Sequence, residues 1–218
     1  MKILNAYHLK IIALVTMIVD HLGMMFFPDV LVLRFIGRVA FVLYAFMLVE
    51  GFFHSKDIGK YIRRVFIWAV LSEIPFDLAM EQTSFYPGKQ NIFFTLLIGL
   101  VGMYFINKEK GNGFKLIFTS ASLLLAFLLK VDYSWYGVAL TFTFYYLRNR
   151  RPYDFIVAEA LSMIASVKVF VLQFFAFLGF IPIAMYNGKP GRRIGTIYYS
   201  FYAVHLLMFA VVKHFLKN

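Results

Sequence analysis

Ionisable side chains interrupt several otherwise apolar stretches of this sequence. Such a residue is energetically expensive in lipid, so it normally faces the protein interior or a water-filled cavity and marks a functional site. A histidine placed among acids and bases can serve as a general base, so proton transfer is the first chemistry to consider. The residues of this kind are Asp20, His21, Arg34, Arg38, Glu50, Glu73, Asp77, Glu159 and His205.

Two pairs of these residues have helical spacing. Arg34 and Arg38 are four residues apart, and so are Glu73 and Asp77, which puts each pair on one face of its helix. With His21 at a similar depth, a doubly positive face and a doubly negative face would form a polar pocket in one half of a helical bundle. The alternative is that these charges only form salt bridges between helices.

His21 needs a partner that holds its ring. Asp20 directly precedes it, but consecutive residues of a helix are about 100° apart and do not face each other. We therefore expect Glu73 or Asp77 to orient His21, and we expect Asp20 to pair with an arginine.

Lys10 precedes His21 by eleven residues, which is close to three helical turns. Both side chains would then lie on one helix face, about 16.5 Å apart at a rise of roughly 1.5 Å per residue. A positive charge at one membrane surface is thereby aligned with a base deep in the bundle.

The composition indicates which elements must hold these residues. Of the 218 residues, 61% are hydrophobic, 20% are aromatic and only 15% are charged, against about 25% charged in an average soluble domain. We predict an all-α polytopic transmembrane helix bundle that forms a single domain over residues 1–218, with about nine spans and a range of eight to ten. The predicted spans are residues 11–27, 30–53, 65–80, 92–107, 114–130, 133–147, 155–168, 170–187 and 196–216.

The positive charges behind the net charge of +11 are unevenly distributed among the loops that connect the predicted spans. Loops on the cytoplasmic side of a membrane are enriched in Lys and Arg, and most of the 22 lysines and arginines fall in one alternate set of loops. We therefore predict a cytoplasmic N-terminus and an extracytoplasmic C-terminus. Because the cations sit in short loops and not in a basic domain or arm, the charge argues against nucleic acid as a partner.

Several other polar residues allow two interpretations. Gln90 and Asn91 open a predicted helix, where they either cap it or touch a substrate. His205 is either a second catalytic or gating group or a buried histidine bound to a carbonyl or a tyrosine. Asn187 precedes a glycine at a predicted helix end, and Glu50 is expected to pair with a cytoplasmic arginine or lysine. The chain has no cysteine and no histidine pair with metal-ligand spacing, so we expect no disulfide and no metal ion.

Six segments of the chain carry a combination of short motifs. They are LKIIALVTMIVDHLG (9–23), LRFIGRVAFVLYAFMLVEGFFHSKDIGKYIRR (33–64), LSEIPFDL (71–78), QNIFFTLLIGL (90–100), IPIAMYNG (181–188) and YYSFYAVHLLMF (198–209). Together they resemble the TraX family, which is named for the membrane protein that acetylates the N-terminus of conjugative F-pilin. More remotely, the spacing of Lys10 and His21 is similar to the Arg-x10-His signature of membrane acyltransferases that modify bacterial surface glycans, with lysine in place of arginine.

The resemblance implies a function and assigns roles. It implies transfer of an acetyl or other acyl group from cytoplasmic acyl-coenzyme A to an acceptor at the outer face of the bacterial cytoplasmic (inner) membrane. The acceptor would be a protein N-terminus, a glycan or a lipid, and His21 would act as general base or carry the acyl group itself. The other catalytic candidates are Asp20, Glu73 and Asp77; the substrate-binding candidates are Arg34, Arg38, Gln90, Asn91 and His205; the candidates for contact with the coenzyme are Lys10, Arg63, Arg64 and Asn187.

Two other classes of protein would use the same buried charges. A proton-coupled transporter or channel would relay protons or hold a substrate with them, although this chain lacks the two-fold repeat and midplane site expected of many transporters. A non-catalytic membrane subunit would need them only for assembly. Binding of coenzyme A by the purified protein separates these classes from an acyltransferase.

Overall fold

The structure, a computed structural model, describes residues 2–168 and 171–217. Within these ranges the structure is all-helical, with two isolated β-bridges and no β-strand. The elements in chain order are α1 (Ala6–Met25), α2 (Leu31–His54), α3 (Ile58–Leu71), α4 (Glu73–Met80), α5 (Ile92–Lys108), α6 (Asn112–Leu128), α7 (Ser134–Tyr146), α8 (Tyr153–Lys168), a 3-10 helix (Val171–Gly179), α9 (Phe180–Ala184) and α10 (Ile197–Lys217).

Polar side chains cap three of the helices and satisfy backbone donors at their first turns. Asn5 accepts a hydrogen bond from the backbone N–H of His8 at the start of α1, and the His8 ring accepts one from the backbone N–H of Asn5. Asp57 accepts one from the backbone N–H of Lys60 at the start of α3, and this bond lowers the pKa of the Asp57 carboxyl. Asn91 caps α5. The sequence therefore fixes where these three helices begin.

The third predicted span, residues 65–80, is divided between two helices. α3 ends at Leu71 and α4 begins at Glu73, with Ser72 at the joint. Pro75 lies in the first turn of α4, where a missing N–H is tolerated because that donor has no intrahelical partner. The helix is thus fully broken just before the proline.

The eighth predicted span, residues 170–187, is not a regular α-helix. It consists of the 3-10 helix Val171–Gly179 followed by the short α9, and its junction with the preceding span at residues 169–170 lies outside the described residues. A 3-10 helix rises roughly 2.0 Å per residue, so nine residues cover about 18 Å. Fewer residues are therefore needed to cross a given depth than in an α-helix.

The helix α2 lies at the centre of the bundle. It packs against α1, the 3-10 helix, α7, α5 and α9, and nearly all its residues from Gly37 to Glu50 are buried. At Gly37 the approach of α1 is close enough that an added Cβ would overlap the carboxylate of Asp20. The close packing of the first half of α2 against α1 thus requires glycine at position 37.

Three helices are long and apolar enough to cross a membrane by themselves, namely α1, α2 and α10 up to Leu216. The helices α5 and α6 and the stretch Leu172–Ala184 are apolar but shorter. Loops that we assigned to one membrane side do lie together, since Gln90 pairs with Val131 at one end of the bundle and Leu4 with Tyr186 at the other. The number of nine spans and the direction of the chain stay predictions.

Candidate active site

An open cavity of about 790 Å³ lies at the end of the bundle where α1 meets α2. Its wall includes methionine and aromatic side chains from α1, α2 and α4. Polar groups reach it from α1, α2, α10, the 3-10 helix and two loops. The polar and ionisable residues of its lining are Asp20, His21, Arg34, Arg38, Tyr44, Lys89, Asp132, Tyr133, Gln173 and Tyr202.

His21 is held by a second histidine. Its Nδ1 atom lies 2.7 Å from Nε2 of His205, and Nδ1 of His205 lies 2.9 Å from the carbonyl oxygen of Phe201. A carbonyl only accepts, so in the neutral pair Nδ1 of His205 carries the proton and its Nε2 accepts from Nδ1 of His21. This arrangement leaves Nε2 unprotonated on His21, a residue of the cavity lining.

The two arginines of α2 share one carboxylate. Nη2 of Arg38 lies 2.6 Å from each carboxylate oxygen of Asp20, and both side chains are buried. Arg34 is held more loosely, with its Nη1 atom 3.4 Å from Oδ2 of Asp20 and 3.2 Å from the Asp20 carbonyl oxygen. Asp20 therefore pairs with an arginine, as its position on the helix predicted, and Arg34 keeps the freer guanidinium group.

Two loops contribute to the lining of this cavity. The Lys89 ammonium lies 3.1 Å from Oδ1 of Asp132, and the backbone N–H of Asp132 donates to the carbonyl of Gln90 at 2.8 Å. Tyr133, whose φ of 61° is left-handed, stacks on Phe41 and lies beneath the Arg38 guanidinium. The loop after α4 and the loop after α6 are thus joined to each other and to α2.

The charges of this cavity do not cancel. Arg34, Arg38 and Lys89 contribute three positive charges, and Asp20 and Asp132 contribute two negative ones. With neutral histidines, the described lining therefore carries one positive charge in excess. Such a site favours negative charge on a bound group or on a reaction intermediate.

Glu73 and Asp77 do not take the place beside His21 that we expected for one of them. Glu73 accepts hydrogen bonds from the side-chain amide and the backbone N–H of Asn91, and Asp77 accepts one from the backbone N–H of Tyr86 at 2.8 Å. The helix α10 packs against both α1 and α4, so it is His205 of α10 that reaches His21. The two carboxylates instead hold the loop that follows α4.

Gln90 and Asn91 lie outside the described lining of this cavity. Asn91 is fully buried and caps α5, and its amide also donates to the carbonyl of Ala69 at 2.7 Å. Gln90 donates to the carbonyl of Pro87 at 3.3 Å. Of the two interpretations from the sequence, the geometry gives Asn91 the role of helix cap.

A second cavity, of about 1120 Å³, opens at the opposite end of the bundle. Lys10, Arg64 and Arg193 line it together with aromatic rings. The Lys10 ammonium lies 5.4 Å from the ring centre of Tyr198, and the Arg64 guanidinium lies 5.4 Å from that of Tyr199. Cations beside aromatic faces suit a ligand that carries both phosphate groups and a planar base.

A third, polar cavity of about 700 Å³ lies near the second one and includes Asn187. There Glu50 pairs with Arg148 at 3.0 Å, so it has the basic partner that the sequence predicted. Arg63 is exposed and lies outside the described lining of these cavities. Of the four residues predicted to contact a coenzyme, the structure brings only Lys10 and Arg64 together.

Comparison with known proteins agrees with the sequence motifs. The profile of the TraX protein family matches residues 6–213. The chain belongs to the TraX family. It is 29% identical to the probable fimbrial assembly protein FimC, serogroup H1, of Dichelobacter nodosus, in an alignment that covers 98% of this chain and 97% of that protein. It is also 24% identical to an uncharacterized protein of Rickettsia prowazekii (strain Madrid E), over 46% of this chain and 37% of that protein. No solved structure matches the chain.

The TraX-family motifs account for part of the cavity, and sequence reasoning missed the rest. The DH and RxxGR motifs contribute Asp20, His21, Arg34 and Arg38. Lys89 and its partner Asp132 lie in loops between helices, outside the apolar stretches in which ionisable residues stand out. Four further polar lining residues give no functional signal in the sequence, because Tyr and Gln within apolar runs resemble ordinary core residues: Tyr44, Tyr133, Gln173 and Tyr202.

Proposed function

We propose that this TraX-family protein is a membrane-embedded acyltransferase. It moves an acetyl or other acyl group from cytoplasmic acyl-coenzyme A to an amine or hydroxyl group at the outer face of the bacterial inner membrane. The observation that carries the proposal is the bond between His21 and His205 at the wall of an open cavity. It leaves one nitrogen of His21 able to take a proton from a bound acceptor.

In the proposed reaction, His21 is the only base. The acceptor nitrogen or oxygen attacks the thioester carbonyl carbon and gives its proton to Nε2 of His21. The tetrahedral intermediate carries a negative oxygen, which the excess positive charge around Arg34 stabilises. Its collapse breaks the carbon–sulfur bond, and the departing thiolate takes the proton from His21. The products are the acylated acceptor and free coenzyme A.

The second cavity has the chemistry of a donor site. Phosphate groups would bind Lys10, Arg64 and Arg193, and the adenine ring would stack on tyrosine side chains of the lining. Lys10 and His21 are both on α1, about 16.5 Å apart along the helix, a distance comparable with an extended pantetheine arm. A coenzyme anchored at Lys10 could therefore present its thioester beside His21.

The acceptor would enter the outer cavity. The relative named as a fimbrial assembly protein supports a subunit of a surface filament, presenting its N-terminal amine. A glycan or lipid hydroxyl would use the same base and the same open mouth. Arg34, the less tightly paired arginine, would then hold an acceptor group as well as stabilise the intermediate.

Calorimetric titration of the detergent-purified protein with coenzyme A and acetyl-coenzyme A tests this function. We expect saturable binding of both ligands, weakened roughly tenfold by Arg64→Ala, because loss of one phosphate contact costs about 1.4 kcal/mol. Lys115→Ala is the matched control, since Lys115 is a partly exposed cation of α6 outside the described cavity linings. A wild-type protein that binds neither ligand would contradict the proposal and favour a transporter or a non-catalytic subunit.

A further inference from the structure

The outer cavity and the inner cavity share one lining side chain. Tyr44 of α2 lines both the outer cavity, which contains His21, and the inner cavity, which contains Lys10. Its ring is tilted against that of Tyr198 on the inner side, with 5.7 Å between the ring centres. The two cavities therefore adjoin at Tyr44.

The hydroxyl of Tyr44 donates to a weak acceptor. It donates a hydrogen bond to Sδ of Met17 at 3.3 Å, and Met17 is buried in the wall of the outer cavity. A thioether sulfur is a weak acceptor in comparison with a carbonyl oxygen. A substrate carbonyl placed beside this hydroxyl would therefore replace the sulfur as the acceptor. The only hydrogen bond lost would be the weak one to Met17.

The register of α1 places this hydroxyl on the path between the donor cavity and the base. Lys10, Met17 and His21 recur at intervals of seven and four residues, so they lie along one helix face. Met17 is one turn from His21, a rise of about 6 Å, and two turns from Lys10, about 10.5 Å. A thioester that arrives from the Lys10 side reaches the Tyr44 hydroxyl just before it reaches His21.

We infer that Tyr44 is a catalytic residue that donates its hydroxyl hydrogen to the thioester carbonyl oxygen and stabilises the negative oxygen of the intermediate. The inference rests on the proposed function and deepens it, because it gives the oxyanion a direct neutral donor. In the step described above, the bonds that form and break are unchanged. The Tyr44 proton stays on its own oxygen, and only its hydrogen bond moves from sulfur to the substrate oxygen.

The test compares two conservative variants, Tyr44→Phe and Met17→Leu, for transfer of radiolabelled acetyl from acetyl-coenzyme A to membrane material in inside-out vesicles. Tyr44→Phe removes only the hydroxyl, and we expect kcat to fall about 10²-fold, as for the loss of one oxyanion donor. The KM for acetyl-coenzyme A should change less than about threefold, because the phosphate contacts are intact. Met17→Leu removes the sulfur with nearly the same volume, so kcat should fall much less than in Tyr44→Phe.

A purely structural role of the hydroxyl predicts a different pattern. In that case Tyr44→Phe and Met17→Leu break the same contact and reduce transfer equally, and that result would overturn the inference. Wild-type activity in Tyr44→Phe would also overturn it, while leaving the proposed function in place. Absence of transfer by the wild-type protein would instead overturn the proposed function, and this inference with it. Tyr104→Phe is the control for loss of a hydroxyl away from the cavities.

Discussion

At the scale of single residues, the site depends on which nitrogen of His21 carries a proton. The carbonyl of Phe201 fixes the orientation of His205, and His205 in turn fixes that of His21. His205 itself is outside the described lining of the outer cavity, so it acts through His21 and is a positioning residue.

We predict that His205→Ala lowers kcat for acetyl transfer about 10²-fold, because His21 then loses the acceptor that selects its tautomer. The KM for acetyl-coenzyme A should be nearly unchanged, since the donor cavity is at the other end of α1. His205→Gln should recover part of the rate because its side-chain oxygen can accept from Nδ1 of His21. Steady-state kinetics of the three proteins provide the measurement, and equal loss in both variants would contradict the tautomer argument.

The two arginines of α2 should respond differently to truncation. Arg38→Ala leaves the Asp20 carboxylate buried beside only the looser Arg34, and we expect a loss of stability of about 3–5 kcal/mol. Arg34→Ala should fold normally and lose acyl transfer instead. Thermal unfolding in detergent, combined with the transfer assay, distinguishes the two. Equal destabilisation by both variants would show that Arg34 is as structural as Arg38.

Local spacing predicts much of this residue-scale arrangement. The sequence predicts that Asp20 pairs with an arginine and that Lys10 and His21 share a helix face, because helix geometry relates residues within one or two neighbouring helices. It does not predict His205 as the partner of His21, since the two are 184 positions apart. Only the packing of α10 against α1 brings them together.

At the scale of elements, the close crossing of α1 and α2 positions the ion pair. Gly37 permits this crossing. We predict that Gly37→Ala lowers stability by about 1–3 kcal/mol, because the added methyl overlaps the Asp20 carboxylate. Gly113→Ala is the matched control: Gly113 is in α6 with open space around it, and its replacement should stabilise the helix by about 0.5–1 kcal/mol. Thermal melts that rank the two variants the other way would contradict the predicted crossing.

Helix boundaries could be predicted from the sequence where apolar length and capping residues agree. The predicted span 92–107 corresponds to α5, Ile92–Lys108, which Asn91 caps. Hydropathy could not predict that the third span is divided at Ser72 or that the eighth is a 3-10 helix. A continuous α-helix of the same residues would be equally apolar. The first departure lies just before Pro75, which lacks the backbone N–H that would continue α3.

At the scale of the whole molecule, the positive charge is expected to orient the bundle. The chain has no cysteine, so single cysteines report topology without background. We predict that a membrane-impermeant maleimide labels Ser84→Cys in intact spheroplasts and labels Lys110→Cys only after permeabilisation. The cysteine-free protein is the control for non-specific labelling. Labelling of both positions from the same side would contradict the predicted alternation.

The placement of the two cavities gives this orientation a functional meaning. The donor cavity opens at the end that carries Lys10, and the cavity with His21 opens at the opposite end. In the proposed reaction, an acyl group passes from one side of the membrane to the other through the protein, while coenzyme A stays on the side where it is made.

Transfer of radiolabelled acetyl from acetyl-coenzyme A into membrane material of inside-out vesicles tests the central claim most directly. The vesicles should contain the wild-type protein, His21→Ala or the control His214→Ala, in which the replaced histidine lies near the C-terminal end of α10. We predict label with the wild-type and control proteins and a loss of about 10³-fold in His21→Ala, within the range of general-base catalysis. Label that resists alkali would indicate an amide, and labile label an ester. Undiminished transfer by His21→Ala would contradict the account.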